Sequence, residues 1–128
     1  MQINWNDKEP IYLQLRDRLV ELILDEVLQE GESLPSVRQV ASEQRINPIT
    51  VSKAFQIMVD EGLIEKRRGL GMYVVTGART KLRNDEKQKF LNDEWPAIVE
   101  RIARLDLDVV QLVDRAKTVV GSSAGGKK

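Results

Sequence analysis

Apolar residues in the first part of the chain recur at three- and four-residue steps, which is the spacing of one buried helix face. They are Ile11, Leu15, Leu19, Leu22, Ile23 and Val27. Proline is favoured in the first turn of a helix, and glycine in the left-handed conformation that ends one. The pattern therefore predicts a first helix that begins at Pro10 and has ended by Gly31.

Capping signals predict two further helices with a tight turn between them. Ser36 and Gln39 have the capping-box spacing, in which each side chain satisfies a backbone N–H near the other, so a second helix should cover residues 37–44. Asn47 is a favourable N-cap and Pro48 a favourable first helical residue, so a third helix should begin there. Two short helices joined in this way form the helix-turn-helix pattern.

The third helix is amphipathic and leads into a short hairpin. Its buried face is predicted to contain Val51, Ala54, Phe55, Met58 and Val59. After Gly62, residues 63–66 and 72–75 are predicted to be short strands. The residues between them, 67–71, are basic and contain two glycines, which tolerate the backbone angles of a tight turn. A hairpin in this place is a wing, so the pattern predicts a winged helix-turn-helix.

The chain is predicted to divide into a DNA-binding domain and a smaller helical unit. The winged helix-turn-helix should occupy residues 1–78, and the polar residues 79–84 are predicted to be a linker. Residues 85–120 are predicted to form a helical segment for dimerisation, and residues 121–128, rich in glycine and serine, a disordered tail. The fold class is thus mainly α, with one small β-hairpin.

The helical segment carries two apolar stripes. On the first helix the stripe is Phe90, Leu91, Trp95, Ile98, Val99, Ile102 and Leu105, and on the second it is Val109, Val110, Val113 and Ala116. Pro96 should mark a kink or a restart near Asp93, and Asp108 should cap the last helix. Two short helices cannot easily bury this much apolar surface against each other, so the stripes predict a partner.

The amino-acid composition limits which catalytic and metal sites the protein can form. The 128 residues include no cysteine and no histidine, which removes the usual zinc ligands and the commonest general base. An enzyme is therefore disfavoured, and no cofactor is expected. The N-terminus lacks the features of a signal peptide, and the longest uninterrupted apolar run, residues 72–75, is far too short to span a bilayer. We therefore expect a cytoplasmic protein without a membrane partner.

The distribution of charge matters more than its sum. The formal net charge is zero, which alone argues against binding to nucleic acid. Residues 7–32, however, carry eight acids against three bases, whereas residues 33–68 carry four acids against six bases. A locally basic surface can therefore lie on a neutral protein.

The motifs resemble the GntR family of bacterial regulators, and within it the small YtrA-type branch. The matching segments are residues 10–15, 34–41, 47–55, 61–64 and 68–74, which follow one another in unbroken order. The remaining residues match only in kind, as the two-helix extension that this branch carries in place of a large effector domain. The resemblance implies a dimeric DNA-binding regulator that represses more often than it activates.

The candidate DNA-binding residues lie on the second helix, at the start of the third and on the wing. The N-terminus of a recognition helix points free N–H groups at phosphate, and its first turns reach base edges in the major groove. The predicted contacts are Ser36, Arg38, Asn47, Ile49, Thr50, Ser52, Lys53, Arg67, Arg68, Gly69 and Gly71. The resemblance places the family's DNA-contacting arginine at Arg38.

Several of these residues also have a purely structural interpretation. Ser36 and Asn47 are predicted helix caps, and the alternative for Arg38 is an ion pair with Glu43 or Asp60. The lysine of the third helix is alternatively a solvated surface residue. The two arginines of the wing are alternatively edge-strand charges that discourage aggregation.

Together these features predict a repressor that binds double-stranded DNA as a homodimer on a palindromic operator. One recognition helix buries too little surface for useful specificity, so two copies should act together. The predicted dimer interface is Trp95, Ile98, Val99, Ile102, Leu105, Val109, Val110 and Val113. The main alternative is a winged helix that binds protein, which the zero net charge favours. The sequence identifies no small-molecule effector, and an enclosed pocket within one subunit is not expected.

Overall fold

The structure is a computed structural model that describes residues 3–125 in two compact units, one ending at Asp85 and one beginning at Glu86. The first unit contains α1 (Ile11–Leu24), α2 (Val37–Gln44), α3 (Pro48–Asp60), β1 (Ile64–Arg67), β2 (Gly71–Val74) and most of α4 (Ala78–Lys89). The second contains a π-helical segment (Phe90–Glu94), α5 (Trp95–Arg104) and α6 (Val109–Gly125). The predicted fold class, mainly helical with one hairpin, is confirmed. No helix among the described residues is long and apolar enough to cross a membrane.

Helix α1 is shorter than its apolar pattern predicted. Glu26 adopts a left-handed backbone (φ 61°), and the N–H groups of Val27 and Leu28 both return to the carbonyl of Leu22. This turn closes the helix before Gly31, and it leaves the Val27 side chain 64% exposed rather than buried. The sequence pattern missed the early end because a residue other than glycine supplies the left-handed conformation.

The core of the first unit lies between α1, α2 and α3 and extends to the hairpin. Its fully buried large side chains are Leu15, Leu19, Ile23, Val40, Val51, Met58, Leu63, Ile64 and Val74. Most of the predicted face of α3 is buried as expected, and Val59 is partly buried. Gln14 is also buried, and it bonds through both ends of its amide to the backbone of Asn6, which holds the N-terminal segment on α1.

The wing is anchored on a third extended segment. Strands β1 and β2 pair antiparallel from Ile64–Val74 to Arg67–Gly71, within one residue of the predicted bounds. The connection between α1 and α2 then pairs with the other edge of β2, because the Leu34 N–H donates to the Met72 carbonyl and the Val74 N–H to the Glu32 carbonyl. The hairpin is therefore fixed to the body of the domain along its second strand.

Residues 79–84, expected to be a linker, form part of α4. Ala78 and Leu82 lie one turn apart on this helix and are both buried in the core of the first unit. The Arg79 guanidinium donates to the Leu24 carbonyl and pairs with Glu26 at 3.2 Å. The excess of polar side chains suggested a linker, but two apolar residues at helical spacing are sufficient to dock the helix.

The second unit follows the predicted caps. A kink or a restart was expected near Asp93, and there the π-helical segment ends at Glu94 and α5 begins at Trp95, with Pro96 in its first turn. The Asp108 carboxylate accepts from the Val110 N–H at 2.9 Å. Helix α6 continues through residues 121–125, which were expected to be disordered, and residues 126–128 of that tail lie outside the described residues. The apolar stripe of this unit is largely exposed in the single chain.

Candidate nucleic-acid interface

Helices α2 and α3 are joined by a tight turn, as a helix-turn-helix requires. Arg45 ends α2 in the left-handed region (φ 55°, ψ 48°), and the Ile46 N–H returns to the Ala41 carbonyl at 3.1 Å. Asn47 then begins α3 by accepting from the Ile49 N–H at 2.8 Å. Asn47 is therefore the N-cap, as predicted, and its side-chain oxygen already accepts a hydrogen bond within the protein.

The N-terminal part of α3 presents an exposed face with a single charge. Ile49 is 68% exposed, Ser52 and Lys53 are exposed, and Thr50 is half-buried. The opposite face of the helix is buried in the core, which fixes its rotation about its own axis. The outer face of α3 therefore presents one apolar side chain, two hydroxyl groups and one ammonium group.

Lys53 has a neighbour that the sequence did not reveal. Its ammonium lies 4.9 Å from the centre of the Tyr12 ring, within the range of a cation–π interaction. Tyr12 belongs to α1 and packs partly against the core. The exposed ammonium therefore has an aromatic neighbour on α1. An ammonium has three donors, so it can still bind an acceptor.

Ser36 caps α2 as predicted. Its hydroxyl accepts from the Gln39 N–H at 3.0 Å. The Gln39 side chain does not return to the cap and instead bonds to Glu43, one turn later, at 3.3 Å. Half of the predicted capping box is therefore formed, and the main role of the serine in this structure is to begin the helix.

Arg38 is exposed on the first turn of α2. Both carboxylates that were considered as its partners are bonded to glutamines, Glu43 to Gln39 and Asp60 to Gln56 at 2.9 Å. Among the described residues, the Arg38 guanidinium has no ion pair. The intramolecular alternative is therefore not adopted, and all five N–H donors of the arginine remain available.

The two arginines of the wing differ in their surroundings. The Arg67 guanidinium lies 4.2 Å from the centre of the Tyr73 ring and 3.4 Å from a Glu65 oxygen. Within the described part of the chain, Arg68 is exposed and has no such partner. Gly69 and Gly71 both have positive φ values, 75° and 100°, so the turn requires glycine for its backbone.

The tip of the wing also carries Leu70, which is 67% exposed. It was not among the predicted contact residues, because a single apolar residue inside a basic turn gives no clear signal in the sequence. The tip therefore combines a basic pair with one apolar side chain.

The C-terminal end of α3 is fixed by two basic residues. Arg16 of α1 forms two hydrogen bonds to the Glu61 carboxylate, at 2.9 and 2.5 Å, and this contact raises the pKa of the arginine. Lys81 of α4 donates to the Glu61 carbonyl. Helix α3 also packs against α2 and β1, so the candidate residues of α2, α3 and the wing share one rigid support.

Two clefts lie on the first unit. One of about 390 Å³ lies beside Arg79, and one of about 290 Å³ lies beside Gln14. Among the described residues, no group of three or more acidic side chains is placed to hold a metal ion.

Comparisons with known proteins agree on one family. Residues 11–74 match the family described as "Bacterial regulatory proteins, gntR family". Over 128 residues the chain is 32% identical to the "HTH-type transcriptional repressor YtrA" of Bacillus subtilis strain 168, and the match covers 100% of this chain and 98% of that protein.

Solved structures show the same architecture. A transcriptional regulator from Oenococcus oeni has a TM-score of 0.73 and 25% identity, with 94% of this chain and 98% of that chain covered. The crystal structure of AraR(DBD) in complex with operator ORX1 shares the fold over 59% of this chain and 92% of that chain, with a TM-score of 0.52 and 20% identity. The family match and the full-length relative show that the chain belongs to the gntR family of bacterial regulatory proteins and is a DNA-binding transcriptional regulator of the YtrA type.

Proposed function

We propose that this regulator represses transcription by binding a two-fold symmetric DNA operator as a homodimer. The observation that carries the proposal is the exposed start of α3, where Ile49, Ser52 and Lys53 face outward, on the side of the helix away from the core. A helix with such an end fits the major groove, which is wide enough to admit an α-helix. The Bacillus subtilis relative, which matches over 98% of its length, is named a repressor, and this supports repression over activation.

Each candidate residue has donors or contacts left for DNA. Arg38 and Lys53 supply charged donors for bases or phosphates, and Thr50 and Ser52 supply hydroxyl groups. Asn47 uses its amide oxygen as a cap, so its contribution to DNA would come from its NH₂ group. Ser36 acts mainly as the cap of α2, and we assign it a weaker contact to a phosphate group.

The wing is assigned to the minor groove or the backbone. Arg68 has a free guanidinium next to a turn whose two glycines allow the backbone to approach DNA closely. Arg67 is partly engaged with Glu65 and Tyr73, so its contribution should be smaller.

The homodimer is inferred from the second unit. Its stripe includes Trp95, Ile98, Val99, Leu105, Val109, Val110 and Val113, which are 38 to 67% exposed, together with the partly buried Ile102. Two-fold homodimers are the commonest soluble oligomers, so the simplest partner for this surface is the same surface of a second chain. Pairing would present two recognition helices to a symmetric operator.

The main alternative from the sequence, a winged helix that binds a protein and not DNA, is disfavoured by the family match, and its support is the zero net charge. Mobility-shift titration of the full-length chain on the DNA upstream of its own gene, at 50 and 200 mM salt, separates the two. A dimer that contacts roughly 6 to 10 phosphates should lose about 10³- to 10⁵-fold in affinity over this range. Absent or salt-insensitive binding would favour the protein partner.

Variants test the assignment of residues in the same assay. Arg38→Ala and Lys53→Ala should each weaken operator binding by about 1 to 3 kcal/mol where they lose a base contact. Arg104→Ala, an exposed arginine of α5, is the matched control and should leave affinity unchanged. Unchanged affinity in folded Arg38 and Lys53 variants would show that the site lies elsewhere.

A further inference from the structure

Ile49 is the most exposed apolar side chain at the start of the proposed recognition helix. It follows the N-cap Asn47 by two residues, and 68% of its surface is open to solvent. An isoleucine side chain has no donor or acceptor, so it can recognise only an apolar group.

The backbone and the side chain at this position are both constrained. The Ile49 N–H is bonded to the Asn47 side chain at 2.8 Å, which fixes the first turn of α3. Val51 and Ala54, on the buried face of the same helix, are fully buried and set its orientation. A β-branched side chain in a helix also has one strongly preferred χ1 rotamer. The backbone position of Ile49 is therefore fixed, and its γ-methyl group favours one orientation, before any ligand binds.

The major groove offers one apolar group that projects from a base edge. Guanine, adenine and cytosine present donors and acceptors there, whereas thymine adds its C5-methyl group. We propose that Ile49 determines sequence specificity by contacting the C5-methyl group of a thymine in each half of the operator. This inference rests on the proposed function, in which α3 enters the major groove.

Replacement of thymine by deoxyuridine tests the contact, because it removes the methyl group and nothing else. Each thymine of the operator is replaced in turn, in both halves, and binding of the full-length protein is measured by fluorescence anisotropy. One position should lower affinity about fourfold for each half-site, and about 15-fold when both are changed, as expected for one buried methyl group each.

The same series with Ile49→Ala completes the test. This variant should bind the thymine operator more weakly than wild type, and it should bind the thymine and uracil forms equally well. Leu70→Ala is the matched control, since it removes another exposed apolar side chain, and it should keep the full sensitivity to uracil. Circular dichroism of both variants should be unchanged because neither side chain is buried.

The outcomes separate this inference from the function on which it rests. Salt-sensitive operator binding with no uracil-sensitive position would overturn the role of Ile49 and leave the DNA-binding proposal intact. Equal sensitivity in wild type and Ile49→Ala would assign the methyl contact to another residue and also overturn it. Failure of wild type to bind operator DNA at all would reject both proposals.

Discussion

At the scale of single residues, helix capping and DNA contact share the same positions. Ser36 and Asn47 each accept a backbone N–H, which accounts for their place at the starts of α2 and α3. Capping residues of this kind contribute about 1 kcal/mol to helix stability. Their substitution would therefore affect folding and binding together, whereas Arg38 and Lys53 report on binding more directly.

The two arginines of the wing should differ in their effect on DNA binding. Arg68→Ala should weaken binding to operator and to random duplexes alike, and it should reduce the salt slope by about 1 per subunit, because a backbone contact carries no sequence information. Arg67→Ala serves as the comparison and should have a smaller effect, since Tyr73 and Glu65 already engage its guanidinium. Fluorescence anisotropy on both duplexes at several salt concentrations measures this, and a loss confined to the operator would contradict the backbone role.

Local sequence signals predicted some of these positions and missed others. The caps at Ser36 and Asn47 depend on residues two or three positions away, so the sequence alone reveals them. The contact between Lys53 and Tyr12 joins α3 to α1, and the packing that creates it is visible only in three dimensions. The contact between the exposed Arg67 guanidinium and the Tyr73 ring across the hairpin was missed for the same reason, although the strands were predicted.

At the scale of whole elements, α4 is part of the DNA-binding unit. Leu82→Ala should lower the free energy of unfolding by about 2 to 5 kcal/mol, because Leu82 is only 4% exposed and its removal leaves a cavity. Thr80→Ala, exposed on the same helix, should change it by no more than about 0.5 kcal/mol. Urea denaturation followed by circular dichroism measures both. Equal effects would mean that residues 79–84 behave as the linker that the sequence suggested.

Element boundaries were predictable where a side chain caps a helix and less so where the backbone ends it. The bounds of α2 agree with the prediction, and α3 begins at its predicted cap. Helix α1 ends at Leu24, earlier than predicted, because Glu26 adopts a left-handed conformation, and this conformation has only a weak sequence signal in a residue other than glycine. Residues 32–34 pair with the free edge of β2. These residues are about 40 positions apart in the sequence, so no local pattern indicates the pairing.

At the scale of the whole molecule, the buried side chains are concentrated in one part of the chain. Among the described residues, the last buried side chain in sequence is Leu82, and none of the π-helical segment or α5 is buried. Full burial of an apolar side chain stabilises by roughly 1.5 to 3 kcal/mol, and the exposed apolar residues of the second unit, at 38 to 69% exposure, forgo part of this. An isolated chain would therefore expose a large apolar surface, which a second copy would cover.

A single charge in this surface should separate the chains. Ile102 lies on the apolar stripe of α5, and Ile102→Asp would place an unpaired carboxylate in the proposed interface of both subunits. We expect the intact protein to sediment as a dimer and the variant as a monomer, with dimerisation weakened by about two orders of magnitude or more. Operator affinity should fall with it, since each half-site would be bound separately.

Sedimentation equilibrium at micromolar concentration, with Arg104→Asp as the control, measures this. Arg104 stands on the opposite side of α5 from Ile102, so a charge reversal there should leave the dimer intact. The point variant is preferable to truncation after Gly77, because that truncation would also remove the core residues Ala78 and Leu82. A dimeric Ile102→Asp variant would place the subunit interface away from this stripe, whereas a monomeric wild type would contradict the proposed homodimer.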